Sequence, residues 1–199
     1  MNNRKKIIFI TGLPCIGKST LLSDIYKKAG REYIKTDNLR NKIIFNNTEI
    51  LKTIGKIIGK KLRKWPPSLH EYPIIYTSPE IFLQIQSYLA TKCLSEIKNI
   101  IIKNQEELLF IEISPFMLFY TGIQEESIFL TLRKNIHLNR IQLKTNCNKQ
   151  QADYFFQFYT SIFRYIEDYL FIDKIIDMEL ISNDVISEKK NALTDNRTE

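Results

Sequence analysis

Apolar residues fall into two rhythms along the chain: short compact runs, and longer stretches in which they return every three or four positions. Residues 6–11, 33–36, 108–113, 128–132 and 174–178 are the compact runs and read as strands, with 108–113 and 128–132 apolar enough for burial on both faces. After the first run, Leu21, Leu22, Ile25 and Ala29 recur at helical spacing and Gly30 stops that helix. Residues 39–62, apolar at 39, 43, 50, 54, 57, 58 and 62, and residues 81–101, apolar at 81, 85, 88, 89, 93, 97 and 101, predict two long amphipathic helices. Shorter helices are expected over 135–144 and 183–190, and a polar tail over 191–199. Residues 154–170 predict a further helix with a largely aromatic stripe at 155, 158, 159, 162, 166 and 169, a spacing that favours packing against a sheet over a cofactor box. Between the two long helices, three prolines at 66, 67 and 73 forbid a continuous helix and mark an irregular connection suited to flanking a substrate pocket. Strands alternating with helices predict one α/β domain over residues 1–190 with a mostly parallel sheet, and no internal repeat is found.

Composition narrows the class. With 199 residues, 44% of them apolar, the chain can bury a full core, which excludes intrinsic disorder. No apolar run reaches the roughly 18 residues of a membrane span, and the start carries no cleavage signal, so a soluble cytoplasmic protein without membrane partners is expected. The 29 basic against 22 acidic residues give a net charge of +7, which fits either an anionic partner or a coding bias toward Ile, Lys and Asn. Cys15, Cys93 and Cys147 are odd in number and far apart in the chain, and His70 and His137 are the only histidines, so a disulfide framework or zinc cluster is not expected. Any metal must be held by oxygen.

The chemistry concentrates in Gly12-Leu13-Pro14-Cys15-Ile16-Gly17-Lys18-Ser19, which fits G-x-x-x-x-G-K-[ST] between a predicted strand and a predicted helix. Glycines let backbone N–H groups curl around phosphate oxygens, and the helix start adds its positive dipole end. Lys18 then reaches the β- and γ-phosphates, Ser19 holds Mg²⁺, and Thr20 offers a hydroxyl near the α-phosphate. Cys15 inside the loop reads as a tolerated small residue and not as a nucleophile.

On these residues the chain resembles the P-loop kinases, the small phosphotransferases that include nucleotide, nucleoside, shikimate and polynucleotide 5′-kinases. The resemblance implies the P-loop NTPase three-layer α/β/α sandwich, a five-stranded and mostly parallel sheet, and a small lid over about 133–153. Asp37-Asn38-Leu39-Arg40 after the second strand is similar to the acceptor motif of polynucleotide kinases and zeta-toxin-like kinases; the resemblance makes Asp37 the base for the acceptor hydroxyl and Arg40 the grip on an acceptor phosphate. Asp37 as the N-cap of the following helix is the other reading, and the two can coexist. Leu108-Leu109-Phe110-Ile111-Glu112 resembles the strand whose terminal acid orients Mg²⁺ or assists the acceptor, with Glu112 where an Asp is more usual. Ser114 and the aromatics from Phe116 to Tyr120 either line an acceptor pocket or pack the core. Arg140 and Lys144, four apart on one helical face, and Arg133 resemble the basic lid residues that reach across a triphosphate, their alternative being surface charge. Residues 145–151 read as a mobile cover. By this resemblance Gly12, Cys15, Ile16, Gly17, Lys18, Ser19, Thr20, Arg140 and Lys144 bind ATP, Ser19 and Glu112 bind Mg²⁺, and Asp37, Arg40 and Glu112 meet the acceptor. Lys18, Asp37, Arg133 and Arg140 are the expected catalytic set.

The acceptor expected on these grounds is a nucleoside, a nucleotide or a nucleic-acid 5′ end, and a homodimer is an open state. Lys56, Lys60, Lys61, Arg63, Lys64 and Trp65 form either a surface for a nucleic-acid backbone with a base stacked on the ring, or a solvated helix end. A hydrolysing ATPase or switch is the alternative class, for which no Asn-Lys-x-Asp motif is present. A kinase of a non-nucleotide metabolite also stays open, because the P-loop reads the donor and not the acceptor.

Overall fold

The computed structural model describes residues 6–29, 33–45, 47–65, 73–123 and 125–180. Five strands, β1 (Lys6–Thr11), β2 (Ile34–Lys35), β3 (Leu108–Glu112), β4 (Glu126–Thr131) and β5 (Lys174–Asp177), form one sheet in the order β2-β3-β1-β4-β5. Every pairing is parallel. The helices are α1 (Lys18–Ala29), α2 (Thr36–Phe45), α3 (Thr48–Ile57), α4 (Ile74–Thr77), α5 (Pro79–Lys103), α6 (Pro115–Thr121), α7 (Lys134–Thr145) and α8 (Lys149–Ile166).

The central strand β1 buries both faces, and its alternation sorts two layers. Ile7 and Phe9 join Leu109 and Ile111 against Cys93 and Ile97 of α5, whereas Ile8 and Ile10 join Leu130 against Leu22 and Tyr26 of α1. Register aligns the chemistry: Ile10 pairs with Glu112, and Lys35 pairs with the same Glu112. The loop after β1, the acid ending β3 and the start of α2 therefore share the carboxyl edge of the sheet, where open α/β sheets bind ligands.

Several boundaries differ from the sequence reading. The long helix expected over 39–62 is two helices, because Asn47 caps α3 by accepting from the N–H groups of Glu49 and Ile50. Gly59, at φ +67°, then ends that segment, and Leu62 returns to the core outside any helix. The helix expected from 154 begins at Lys149, where Asn148 and Gln151 form a reciprocal capping box. Within the segment read as a cover, that box and the left-handed Asn146 form a helix-to-helix turn. The stripe on α8 packs as expected: Phe158, Ile162 and Ile166 join the core with Phe129, and Phe163 stacks on the Phe129 ring at 4.5 Å. Tyr169, the last stripe position, lies on the surface. Ser78 and Pro79 start α5 as an N-cap and an N1 proline. Residues 66–72 and the helix expected over 183–190 lie outside the described residues.

Candidate active site

Among the described residues, the loop from Gly12 to Ser19 concentrates left-handed backbone, with positive φ at Gly12 (141°), Cys15 (65°) and Gly17 (114°). At Gly12 a Cβ would come within 2.8 Å of the Leu130 carbonyl, so only glycine fits between β1 and β4. At Gly17 a Cβ would meet the Arg140 guanidinium at 2.7 Å, which shows how closely α7 covers the loop. Cys15 holds its left-handed conformation without being a glycine. Burial raises its thiol pKa against the pull of Lys144 and Lys18, in keeping with a non-nucleophilic role. Cys15 and Cys147, distant in sequence, line a common neighbouring cavity as free thiols.

Lys18 Nζ donates to the carbonyls of Gly12 at 2.7 Å and Leu13 at 3.1 Å, which folds the ammonium back over its own loop. Burial lowers the Lys18 pKa to about 8, opposed by the carboxylates of Glu112 and Asp37. Ser19 Oγ, at the first turn of α1, donates to the Glu112 carboxylate, 2.8 Å from each oxygen. Serine hydroxyl and glutamate thus converge although 93 residues apart, and Glu112 itself is buried.

From the other side, α7 grips the same loop. Arg140 Nη1 donates to the Ile16 carbonyl at 2.6 Å, and buried His137 donates through Nε2 to the Pro14 carbonyl at 2.6 Å. Burial lowers the His137 pKa, opposed by this bond to the Pro14 carbonyl, which requires a proton on Nε2. Nothing in the local sequence distinguished His137, since its partner lies 123 residues away. Arg133 behaves differently from the expectation. It forms an ion pair with Glu179, which also accepts its backbone N–H, and it lines neither of the cavities beside the loop.

Two cavities meet at this loop. The first, about 430 Å³, is lined by Cys15, Ile16, Gly17, Lys18, Ser19 and Thr20 with Glu112, Arg140, Leu143 and Lys144. The second, about 370 Å³, takes Asp37 and Arg40 together with Trp65, Tyr76, Gln86 and Tyr159. Cys15, Lys18, Glu112 and Lys144 line both. Since α2 begins at Thr36, Asp37 sits inside its first turn and not at its cap; its carboxylate takes Arg40 Nη2 at 3.1 Å. The Arg40 guanidinium also lies 5.7 Å from the Trp65 ring centroid. Trp65 therefore turns inward, away from the lysine-rich surface on which a stacked base was one expectation. Lys56, Lys60, Lys61 and Arg63 line a separate shallow cavity. Ser114 and Phe116 border the Asp37 cavity, while Met117 and Leu118 are core.

A glycine-bearing loop between β1 and α1, a serine paired to the acid at the end of β3, and a five-stranded parallel sheet define the architecture. The chain has an α/β fold around a five-stranded, all-parallel sheet. No family model matches it. Over 96 residues it is 33% identical to a dephospho-CoA kinase of Buchnera aphidicola subsp. Schizaphis graminum, covering 47% of this chain and 45% of that relative. The match thus spans about half the length of the curated relative. Among solved structures, TT1252 from Thermus thermophilus aligns with a TM-score of 0.64 at 15% identity, over 93% of this chain and 98% of that one. A dephospho-CoA kinase from Campylobacter jejuni aligns with a TM-score of 0.49 at 19% identity, over 96% and 99% of the two chains. The Thermus likeness is one of fold alone. Among the described residues no helix is long and apolar enough to cross a membrane.

Proposed function

We propose that the protein is an ATP·Mg²⁺-dependent phosphotransferase that moves the γ-phosphoryl group to a hydroxyl of a small phosphorylated acceptor, as the name of its dephospho-CoA kinase relative suggests. The observation that carries this reading is the meeting of the loop cavity and the Asp37 cavity at Lys18 and Glu112. A donor triphosphate on the loop N–H groups would put its terminal phosphate at that junction. Lys18 would leave its carbonyl partners for the β- and γ-phosphate oxygens, and Arg140 and Lys144 would add charge from α7. Asp37 would accept the proton of the attacking hydroxyl, with Arg40 holding the acceptor phosphate.

The residues fit a magnesium ion. Ser19 and Glu112 already share a hydrogen bond through oxygen atoms alone, the donor type Mg²⁺ takes, and the phosphates and water complete such sites. When bound, the ion supplies charge neutralisation for the transferring group. Among the described residues no cluster of three His, Cys, Asp or Glu competes for a different metal.

A small acceptor is favoured over a nucleic-acid 5′ end by the inward turn of Trp65, which removes the stacking ring from the basic surface. The segment 133–153 acts as the lid in this reading, with His137 and Arg140 tying α7 to the loop. The test is transfer of labelled γ-phosphate to dephospho-CoA, adenosine 5′-monophosphate and a 5′-hydroxyl oligonucleotide, with Lys18→Ala as blank. Label on a small acceptor is expected. Label on the oligonucleotide alone, or only as inorganic phosphate that Lys18→Ala abolishes, would overturn the assignment.

A further inference from the structure

The Asp37 cavity holds unpartnered hydrogen-bonding groups, and two of the side chains that carry them, Trp65 and Gln86, are not used by the phosphotransfer reading. Native interiors leave few buried polar atoms unpartnered, because each one forfeits its hydration without return. Arg40 Nε, Trp65 Nε1 and Gln86 Oε1 are buried and have no hydrogen-bond partner. All three side chains line this one cavity. The partners Arg40 does have, Asp37 and the Trp65 ring, engage Nη2 and the face of the guanidinium and leave Nε unused. Gln86 is only 7% exposed and stands one turn beyond Phe82 on α5, so it shares a helical face with the ring cluster of Phe82, Phe116 and Tyr159. A leucine would fill that position without stranding a carbonyl oxygen, so packing does not account for the carboxamide.

We propose that Gln86 and Trp65 are specificity residues that read a planar nucleobase on the acceptor, while Arg40 directs Nε to the acceptor phosphate. A carboxamide offers a donor and an acceptor in one plane, the complement of a ring nitrogen beside an exocyclic amino group, as on adenine. The Trp65 N–H supplies a second donor at the edge of the base, and the aromatic walls suit its faces. The inference rests on the phosphotransfer reading for the role of the bound molecule as acceptor, but the binding itself can be measured without catalysis.

Trp65 is the chain's sole tryptophan, so its fluorescence reports this cavity directly. With the loop filled by a non-hydrolysable ATP analogue and Mg²⁺, adenosine 5′-monophosphate, purine riboside 5′-monophosphate and ribose 5-phosphate are titrated against wild type and Gln86→Leu. Wild type is expected to bind the adenine nucleotide about tenfold tighter than either analogue, and Gln86→Leu to bring the three within about threefold. The melting temperature of Gln86→Leu should stay level or rise, because an orphaned carboxamide is removed; a merely structural glutamine would lower it. Equal wild-type affinity for all three probes overturns the proposal, as does a Gln86→Leu variant that keeps the preference. If Gln86→Leu does not fold, the wild-type comparison of the three probes still decides. A base preference that depends on Gln86 without phosphoryl transfer to any acceptor would uphold this site and sink the phosphotransfer reading. Equally efficient transfer to a base-free acceptor would do the reverse.

Discussion

The two cavities that meet at Lys18 are built by opposite strategies. On the loop side the main polar side chains already have partners: Lys18 has two carbonyls, Ser19 has Glu112, and His137 and Arg140 hold the Pro14 and Ile16 carbonyls. On the Asp37 side, three buried polar atoms have no partner. The loop side comes from one contiguous stretch clamped by α7 and closed by Glu112 at the end of β3, whereas the other side draws on α2, α4, α5, α6, α8 and Trp65. A satisfied site is preorganised for an invariant ligand such as a triphosphate. An unsatisfied one accepts a stability cost for groups that only its own ligand can pair.

Breaking the loop side should have the largest effect. Lys18→Ala is expected to lower transfer by about a thousandfold while the fold survives, as a thermal melt beside the transfer assay would show. Asp37→Asn acts on the other side and should cost roughly a hundredfold or more in turnover, leaving ATP affinity unchanged by calorimetry. Arg140→Ala is expected to fall between the sides, weakening ATP binding and turnover together by about tenfold, since the arginine both covers the loop and holds the Ile16 carbonyl.

Acidity sharpens the comparison. Because Lys18 titrates near 8 in the free protein, kcat/KM for ATP should decline above about pH 8 as the ammonium is lost. In the ATP complex the triphosphate charge raises that pKa, so the kcat profile should stay flat to higher pH. Coincident limbs would show that Lys18 does not meet the phosphates. Smallest of all is Arg133→Ala, which should leave both substrate KM values unchanged in steady-state assays because its partner is Glu179 and not the loop.

The sequence was most informative where chemistry is local. Gly12 to Thr20 announced strand, loop and helix in a single run, and Glu112 followed from an apolar strand that ends in an acid. The remainder was obscured for physical reasons. Gln86 and Tyr159 carry the spacing of ordinary helix faces, and only the packing of α5 and α8 around Arg40 turns them toward a cavity. Apolar periodicity from 39 to 62 carried no mark of the break at Asn47, because a cap is a local hydrogen bond and not a change of hydrophobic rhythm. Trp65 looked like part of a basic surface because its neighbours in sequence are basic, yet the indole pairs with an arginine from α2. Arg133 resembled a basic lid residue and is claimed by Glu179, 46 positions away.

The central claim is that Lys18 serves the donor and Asp37 the acceptor across one shared junction. It is tested most directly by single-turnover transfer and ATP affinity measured together on Asp37→Asn. The account predicts a fall in transfer of roughly a hundredfold or more with ATP affinity unchanged. Equal losses in both, or wild-type transfer, would contradict it.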